Sequence, residues 1–192
     1  MIMFNKLPYF VILQGKKYKI NVDFRNMISF ENKIQDKSVS NEKKIEYGLR
    51  HFYPAFFYAQ KYNELVNNPQ LYKEACKKII WFYKCGREDY QKNKETGKVN
   101  KKQIYSYNYD DEYIYGAFKE TYNIDLINKR MHWWKFKSLL KSLPDCTQFE
   151  KIMSYRAYEG KDKNMLELKE FWKLPKPIEE QERIDKIYEA FK

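Results

Sequence analysis

The sequence of residues 130–143 decides the fold class, and it reads Arg-Met-His-Trp-Trp-Lys-Phe-Lys-Ser-Leu-Leu-Lys-Ser-Leu. Its apolar positions recur at helical spacing, so that Trp133, Phe136 and Leu140 share one face with Leu139 and Leu143. Pro144 ends the pattern, because proline disfavours helical conformation in the residue before it. The segment therefore predicts an amphipathic helix with one buried face.

The same pattern extends to both sides of this helix. Pro69 stands where a first helical turn tolerates proline, and Gly86 follows the last apolar residue of that helix. Further predicted helices begin at Asp23, Ser40 or Asn41, Asp110 or Asp111, Thr147 and Asp162, and a last one carries Ile184, Ile187, Tyr188 and Phe191. A weaker pattern covers residues 55–66.

The N-terminal segment differs from the rest of the chain. Two β-rich runs, 9–13 and 18–22, are separated by a short connection that contains Gly15, which predicts a hairpin over about 9–22. An isolated hairpin is marginal in water, so it must pack on helices or pair with another edge. We therefore expect a mainly α protein, a compact multi-helix single domain over residues 1–192 with an N-terminal β-hairpin.

The composition restricts the classes of function. The chain has 192 residues and a formal net charge of +11, which invites a nucleic-acid hypothesis. However, its 37 cationic residues are 31 Lys and only 6 Arg, whereas proteins that bind the bases and phosphates of nucleic acids favour arginine. No apolar run approaches the roughly 20 residues of a membrane span. Nucleic acid and membrane are therefore not the expected partners.

No catalytic, cofactor or metal motif stands out. The three cysteines, Cys76, Cys85 and Cys146, have no paired spacing, which indicates free thiols in a reducing compartment. Asp110, Asp111 and Glu112 could in principle hold a divalent ion, but a helix start is the favoured interpretation. His132 fits a core edge with a hydrogen bond to a carbonyl. We expect no enzyme activity and no cofactor.

Two tryptophans lie opposite the apolar faces of their own helices. Trp134, with Met131, falls among the lysines of the 130–143 helix, and Trp81 falls beside Glu74, Lys77 and Lys78. One interpretation is that these helices pack on two sides. The other is a protein-binding surface, since Trp and Met are enriched at interfaces, and it makes Trp81, Met131 and Trp134 the predicted partner-binding residues.

A lysine-rich segment of about residues 87–104 is predicted to be an exposed loop. It leads into Tyr105, Tyr107 and Tyr109, which superficially suggests a cationic groove with stacking rings. Alternate spacing places all three rings on one face of an extended chain, where they could lie against the core. We favour a solvated loop followed by packed tyrosines.

Several motifs together resemble the bacteriophage gene-product-fifteen family. The longest are Tyr105-Ser106-Tyr107-Asn108-Tyr109-Asp110, Tyr113-Ile114-Tyr115-Gly116-Ala117-Phe118 and His132-Trp133-Trp134-Lys135-Phe136. Others are Asn21 to Arg25, Trp81 to Gly86, Tyr122 to Leu126, and Phe149 with Ile152, Met153, Tyr155 and Arg156. The resemblance spans nearly the whole chain.

The resemblance implies a small helical, non-enzymatic tail assembly chaperone in the host cytoplasm. Such a protein would coat the long tape measure helix and recruit subunits of the major tail protein, and the resemblance leaves a homo-oligomer open. An uncovered tape measure exposes apolar helix surface, which spare aromatic faces could protect from aggregation. The alternatives are a structural tail or connector component of the virion and a basic nucleic-acid-binding protein.

Overall fold

A computed structural model describes residues 7–87 and 104–175 and has a mainly α fold. Its two strands are β1 (Phe10–Leu13) and β2 (Lys16–Lys19). The described helices are α1 (Phe24–Gln35), α2 (Asn41–Phe52), α3 (Ala59–Val66), α4 (Pro69–Tyr83), α5 (Asp111–Tyr122), α6 (Trp133–Leu140), α7 (Gln148–Ala157) and α8 (Lys163–Phe171). A 3-10 turn, Pro54–Phe56, precedes α3. The predicted fold class is confirmed.

The N-terminal hairpin forms around a two-residue turn. Gln14 and Gly15 have φ angles of 46° and 75°, and two positive φ angles in succession are typical of the type I′ turn that suits right-twisted strands. The turn sets the register, in which Leu13 faces Lys16 and Val11 faces Tyr18. Val11 and Leu13 are buried, so one face of β1 belongs to the core.

The described chain divides into two compact units. The first takes residues 7–87 and 124–142, which include the hairpin, α1 to α4 and α6. Within it, α1 and α2 approach closely because Gly48 leaves room for a ring: a Cβ there would lie 2.5 Å from Phe30. The rings of Phe24 and Phe136 stack at 4.5 Å and join α1 to α6.

The second unit takes residues 104–123 and 143–175, which include α5, α7 and α8. Its core contains Ile114 and Phe118 of α5 with Phe149 and Ile152 of α7. Asn123, with a φ of 51°, ends α5 in the left-handed conformation that asparagine tolerates. That the whole chain forms one domain stays a prediction.

Four predicted helix starts are confirmed by side-chain caps. Asp23, Ser40, Thr147 and Asp162 each accept a backbone N–H from the first turn of the helix that follows. Asp110 is the exception, since it precedes α5 but its side chain makes no capping bond. The helix predicted around Ile184 to Phe191 lies outside the described residues.

Candidate protein-binding surface

The start of α6 packs against the end of α4 through two indole rings. Trp134 donates its Nε1–H to the carbonyl of Phe82 at 2.8 Å, and Trp133 donates to the carbonyl of Tyr83 at 2.9 Å. Carbonyls in the last turn of a helix have no partner within that helix. The paired tryptophans therefore help to satisfy the C-terminal end of α4.

The predicted partner-binding residues differ in accessibility. Trp134 is only 1% exposed and Met131 is buried, whereas Trp81 keeps part of its surface. The rings of Trp81 and Trp134 meet edge to face at 5.4 Å. Packing on two sides accounts for Trp134, so this side chain could reach a partner only after rearrangement. Partner binding by these three residues stays a prediction.

His132 occupies the core edge, as its position in the sequence predicts. Its Nε2 lies 3.1 Å from the carbonyl oxygen of Pro8, and its Nδ1 accepts the backbone N–H of Trp134 at 3.1 Å. These two partners assign the neutral tautomer with the proton on Nε2. Burial lowers the pKa of His132, and the bond to Pro8 offsets only part of that effect.

Protonation of His132 should destabilise the first unit. Because the folded pKa lies below the reference value of 6.5, the unfolded chain binds more protons between these two values. We therefore expect the free energy of unfolding to be highest above pH 6.5 and to fall as the pH drops toward the folded pKa. Denaturant titrations at successive pH values measure this slope.

His132→Asn is the matched control for the pH effect. Asparagine can accept the N–H of Trp134 but does not titrate, so this variant should keep α6 and lose part of the slope below pH 6.5. An unchanged slope in the variant would show that His132 is not the responsible group.

A row of four rings, two half-buried and two exposed, lies on α2 and the residues that follow the 3-10 turn. Tyr47 stacks on His51 at 3.9 Å, His51 meets the edge of Phe57 at 6.1 Å, and Phe57 meets Tyr58 at 5.7 Å. Phe57 is 54% and Tyr58 is 74% exposed. We call these four residues the aromatic row.

Cationic side chains accompany the aromatic row. Lys33 Nζ lies 5.7 Å from the centre of the Tyr47 ring, and Arg50 donates to the carbonyl of Phe57 at 3.3 Å. Arg50 also pairs with Glu46, at 2.8 Å. Large aromatic rings beside an arginine are typical of protein interfaces. The aromatic row is thus a candidate contact surface for another polypeptide.

Sequence reasoning missed the aromatic row because the pattern over residues 55–66 is weak. The signal that could have revealed it is the run of Phe56, Phe57 and Tyr58 directly after Pro54. Successive residues of a helical turn diverge by about 100°, so three consecutive rings cannot all enter one core. Phe56 is buried, and the next two rings remain outside.

Asp110 occupies the N-cap position of α5, but its side chain neither caps the helix nor belongs to a metal-binding group among the described residues. Arg156 Nη1 and Nη2 bind its two carboxylate oxygens at 2.7 and 3.0 Å, and Ser106 donates its backbone N–H to the same carboxylate at 2.8 Å. Both charged side chains are buried. A charge pair with this geometry holds the second unit together and leaves no free oxygen pair for a cation.

The three cysteines differ in their surroundings. Burial raises the pKa of the Cys76 and Cys85 thiols, and Cys146 is exposed; all three are free, as expected.

Tyr107 is buried and the Tyr105 ring packs on Phe149 at 5.9 Å, in agreement with packed tyrosines. Most of the predicted lysine-rich loop, residues 88–103, lies outside the described residues.

The described segments contain neither a metal-ligand cluster nor a membrane-spanning helix. Over residues 7–87 and 104–175, no group of three or more His, Cys, Asp and Glu side chains could hold a metal ion. In the same part of the chain, no helix has both the length and the apolar character to cross a bilayer.

Comparison with known protein families identified a match over most of the chain. The family model described as bacteriophage Gp15 protein matches residues 3–178, which is most of the chain and includes every described helix. Comparisons with curated proteins and with solved structures gave no significant match.

Proposed function

This chain belongs to the bacteriophage Gp15 protein family, and from that membership we propose that it is a non-enzymatic chaperone of phage tail assembly. The family is one of phage structural or assembly-related proteins. In our proposal the protein acts in the host cytoplasm, where it covers the tape measure protein and recruits subunits of the major tail protein. Release follows when tube subunits compete for the covered surface, without hydrolysis of a nucleotide.

The observation that carries the proposal is the exposed part of the aromatic row, Phe57 and Tyr58. Phe57 and Tyr58 are mostly exposed although each has a large apolar ring. Burying such rings against a partner helix removes apolar surface from water, and rings of this type often dominate binding energy. A tape measure protein presents a long apolar helix surface before the tube forms, so its chemistry is complementary to this row.

Co-expression with the tape measure protein encoded by the same phage tests the proposal. We expect the chain to increase the soluble fraction of the tape measure protein and to co-purify with it. Replacing Phe57 and Tyr58 together by serine should weaken this association by about thirtyfold, the effect of losing one interface hot spot. Both side chains are mostly exposed, so the variant should fold.

The matched control is Ile127→Ser, which removes another largely exposed apolar side chain of the first unit. It should co-purify like the unaltered chain. Failure of the unaltered chain to bind or solubilise the tape measure protein would overturn the proposal.

The alternative of a structural virion component predicts a different result. Mass spectrometry of purified virions should find the tail proteins and not this chain if it is a chaperone. A stoichiometric amount of this chain in virions would favour the structural role instead.

A further inference from the structure

The outer edge of β1 carries backbone N–H and C=O groups that do not pair with β2. In antiparallel strands, facing residues alternate between hydrogen-bonded and non-hydrogen-bonded pairs. A two-residue turn closes with a bonded pair, here Leu13 and Lys16, and the bond from Ile20 N–H to the Tyr9 carbonyl at 3.1 Å continues the alternation. The N–H and C=O groups of Phe10 and Ile12 therefore point away from β2.

The outer edge of β1 is held in place and has no main-chain partner within residues 7–87 and 104–175. Among the described residues, no hydrogen bond joins the main chain of Phe10 or Ile12 to another group. The tip of the hairpin is fixed because Gln14 donates its backbone N–H to Glu74 at 2.8 Å, and the opposite face of β1 is buried through Val11 and Leu13. A partner strand would thus meet a preorganised edge, which lowers the entropic cost of binding.

The two edges of the hairpin are protected to different degrees. Three of the four residues of β2 are lysines, and charged side chains on an edge strand discourage pairing with other chains. The sequence of β1, Phe-Val-Ile-Leu, carries no charge at all. Phe10 and Ile12 are 45% and 55% exposed on its outer face. β1 is therefore the edge that is open to pairing.

The charge around this edge indicates the chemistry of a partner. Residues 7–22 contain three lysines and no acidic residue. Lys17 Nζ lies 4.3 Å from the centre of the Phe10 ring, and Lys19 faces Phe10 across the hairpin. An added strand would place alternate side chains beside Phe10 and Ile12, within reach of these ammonium groups. A strand that alternates acidic and apolar residues would therefore fit beside this edge.

We propose that the outer edge of β1 binds an extended segment of another protein by strand addition, and that this segment alternates apolar and acidic residues. Main-chain hydrogen bonds to Phe10 and Ile12 supply the pairing, and the lysines select for acidic side chains. A second copy of this hairpin is a poorer occupant, because it brings the same lysines and no carboxylate. This site goes beyond the proposed function, since it recognises a strand and not a helix.

The experiment uses the full chain and a blocked heptapeptide, acetyl-Val-Glu-Val-Glu-Val-Glu-Val-amide, followed by NMR. We expect peptide-induced shifts confined to the hairpin and slower hydrogen exchange, by about tenfold at saturation, for the amides of Phe10 and Ile12. A peptide N-methylated on its pairing edge should fail to bind, because it lacks the N–H donors. A peptide with lysine in place of glutamate should bind at least about tenfold more weakly.

Ile12→Lys should weaken binding of the heptapeptide by about tenfold, while Ile127→Lys, which adds the same charge at another exposed isoleucine of the first unit, should not. Ile12→Pro removes an outward N–H without removing a hairpin hydrogen bond, so it should abolish binding while the Val11 and Leu13 signals persist. Equal binding of the N-methylated peptide, or no shift at β1 up to millimolar peptide, would overturn the proposal. So would concentration-dependent shifts at β1 without peptide, which would assign the edge to a second copy.

Discussion

Replacing Arg156 with methionine is expected to lower the free energy of unfolding of the second unit by about 3–5 kcal/mol, the cost of breaking one side of a buried ion pair. The variant would leave the Asp110 carboxylate, whose side chain is 1% exposed, with the Ser106 N–H but without its two guanidinium donors. It would also release the carbonyls of Ile104 and Trp172, which Arg156 binds. Denaturant unfolding followed by circular dichroism measures the loss.

A double-mutant cycle with Asp110→Asn separates the pair from its surroundings. If the two side chains act as a unit, the double variant should be far more stable than the sum of the two single losses predicts. Arg25→Met is the control: the Arg25 side chain is 45% exposed where it contacts Asp23, so its replacement should cost less than about 1 kcal/mol. A loss of similar size for Arg156→Met and the Arg25 control would contradict the assigned role.

Trp134→Ala is expected to lower the free energy of unfolding of the first unit by about 3–5 kcal/mol, as for other buried aromatic truncations. The substitution removes a ring that contacts Trp81, Phe82 and His132 and deletes the N–H bond to the Phe82 carbonyl. Trp134→Phe should cost less, because it keeps most of the ring volume. Chemical denaturation of the three proteins gives the comparison.

Trp81→Ala is the comparison variant for Trp134→Ala. The Trp81 ring is partly exposed, so its loss should destabilise the chain less than the loss of Trp134. If Trp134→Ala cost under about 1 kcal/mol while partner binding disappeared, the tryptophan would serve the partner and not the core.

Local signals explain why most helix boundaries could be predicted. Asp23 and Ser40 stand two or three residues before the N–H groups that they accept, so the whole capping motif lies in one short stretch of sequence. The turn at Gln14 and Gly15 is equally local. Ile34 shows the limit of local patterns: its helical spacing from Phe24 and Met27 predicts that the three side chains share one face, and those two are buried, but Ile34 is exposed near the end of α1.

Long-range partners explain what the sequence could not show. The carboxylate of Asp110 binds an arginine 46 residues away, and the indole of Trp134 binds a carbonyl 52 residues away. Helical periodicity describes one helix at a time and assumes a single buried face, so it assigned Trp134 to the polar side. The exposure of Phe57 and Tyr58 likewise depends on which elements cover the 3-10 turn, which no local pattern encodes.

The distribution of the four tryptophans has an optical consequence. Trp81, Trp133 and Trp134 cluster in the first unit, while Trp172 is the single indole of the second, where it meets the edge of Tyr113 at 5.8 Å. Intrinsic fluorescence of the unaltered chain therefore reports mainly on the first unit. In a variant whose only tryptophan is Trp172, intrinsic fluorescence would instead report on the second unit alone.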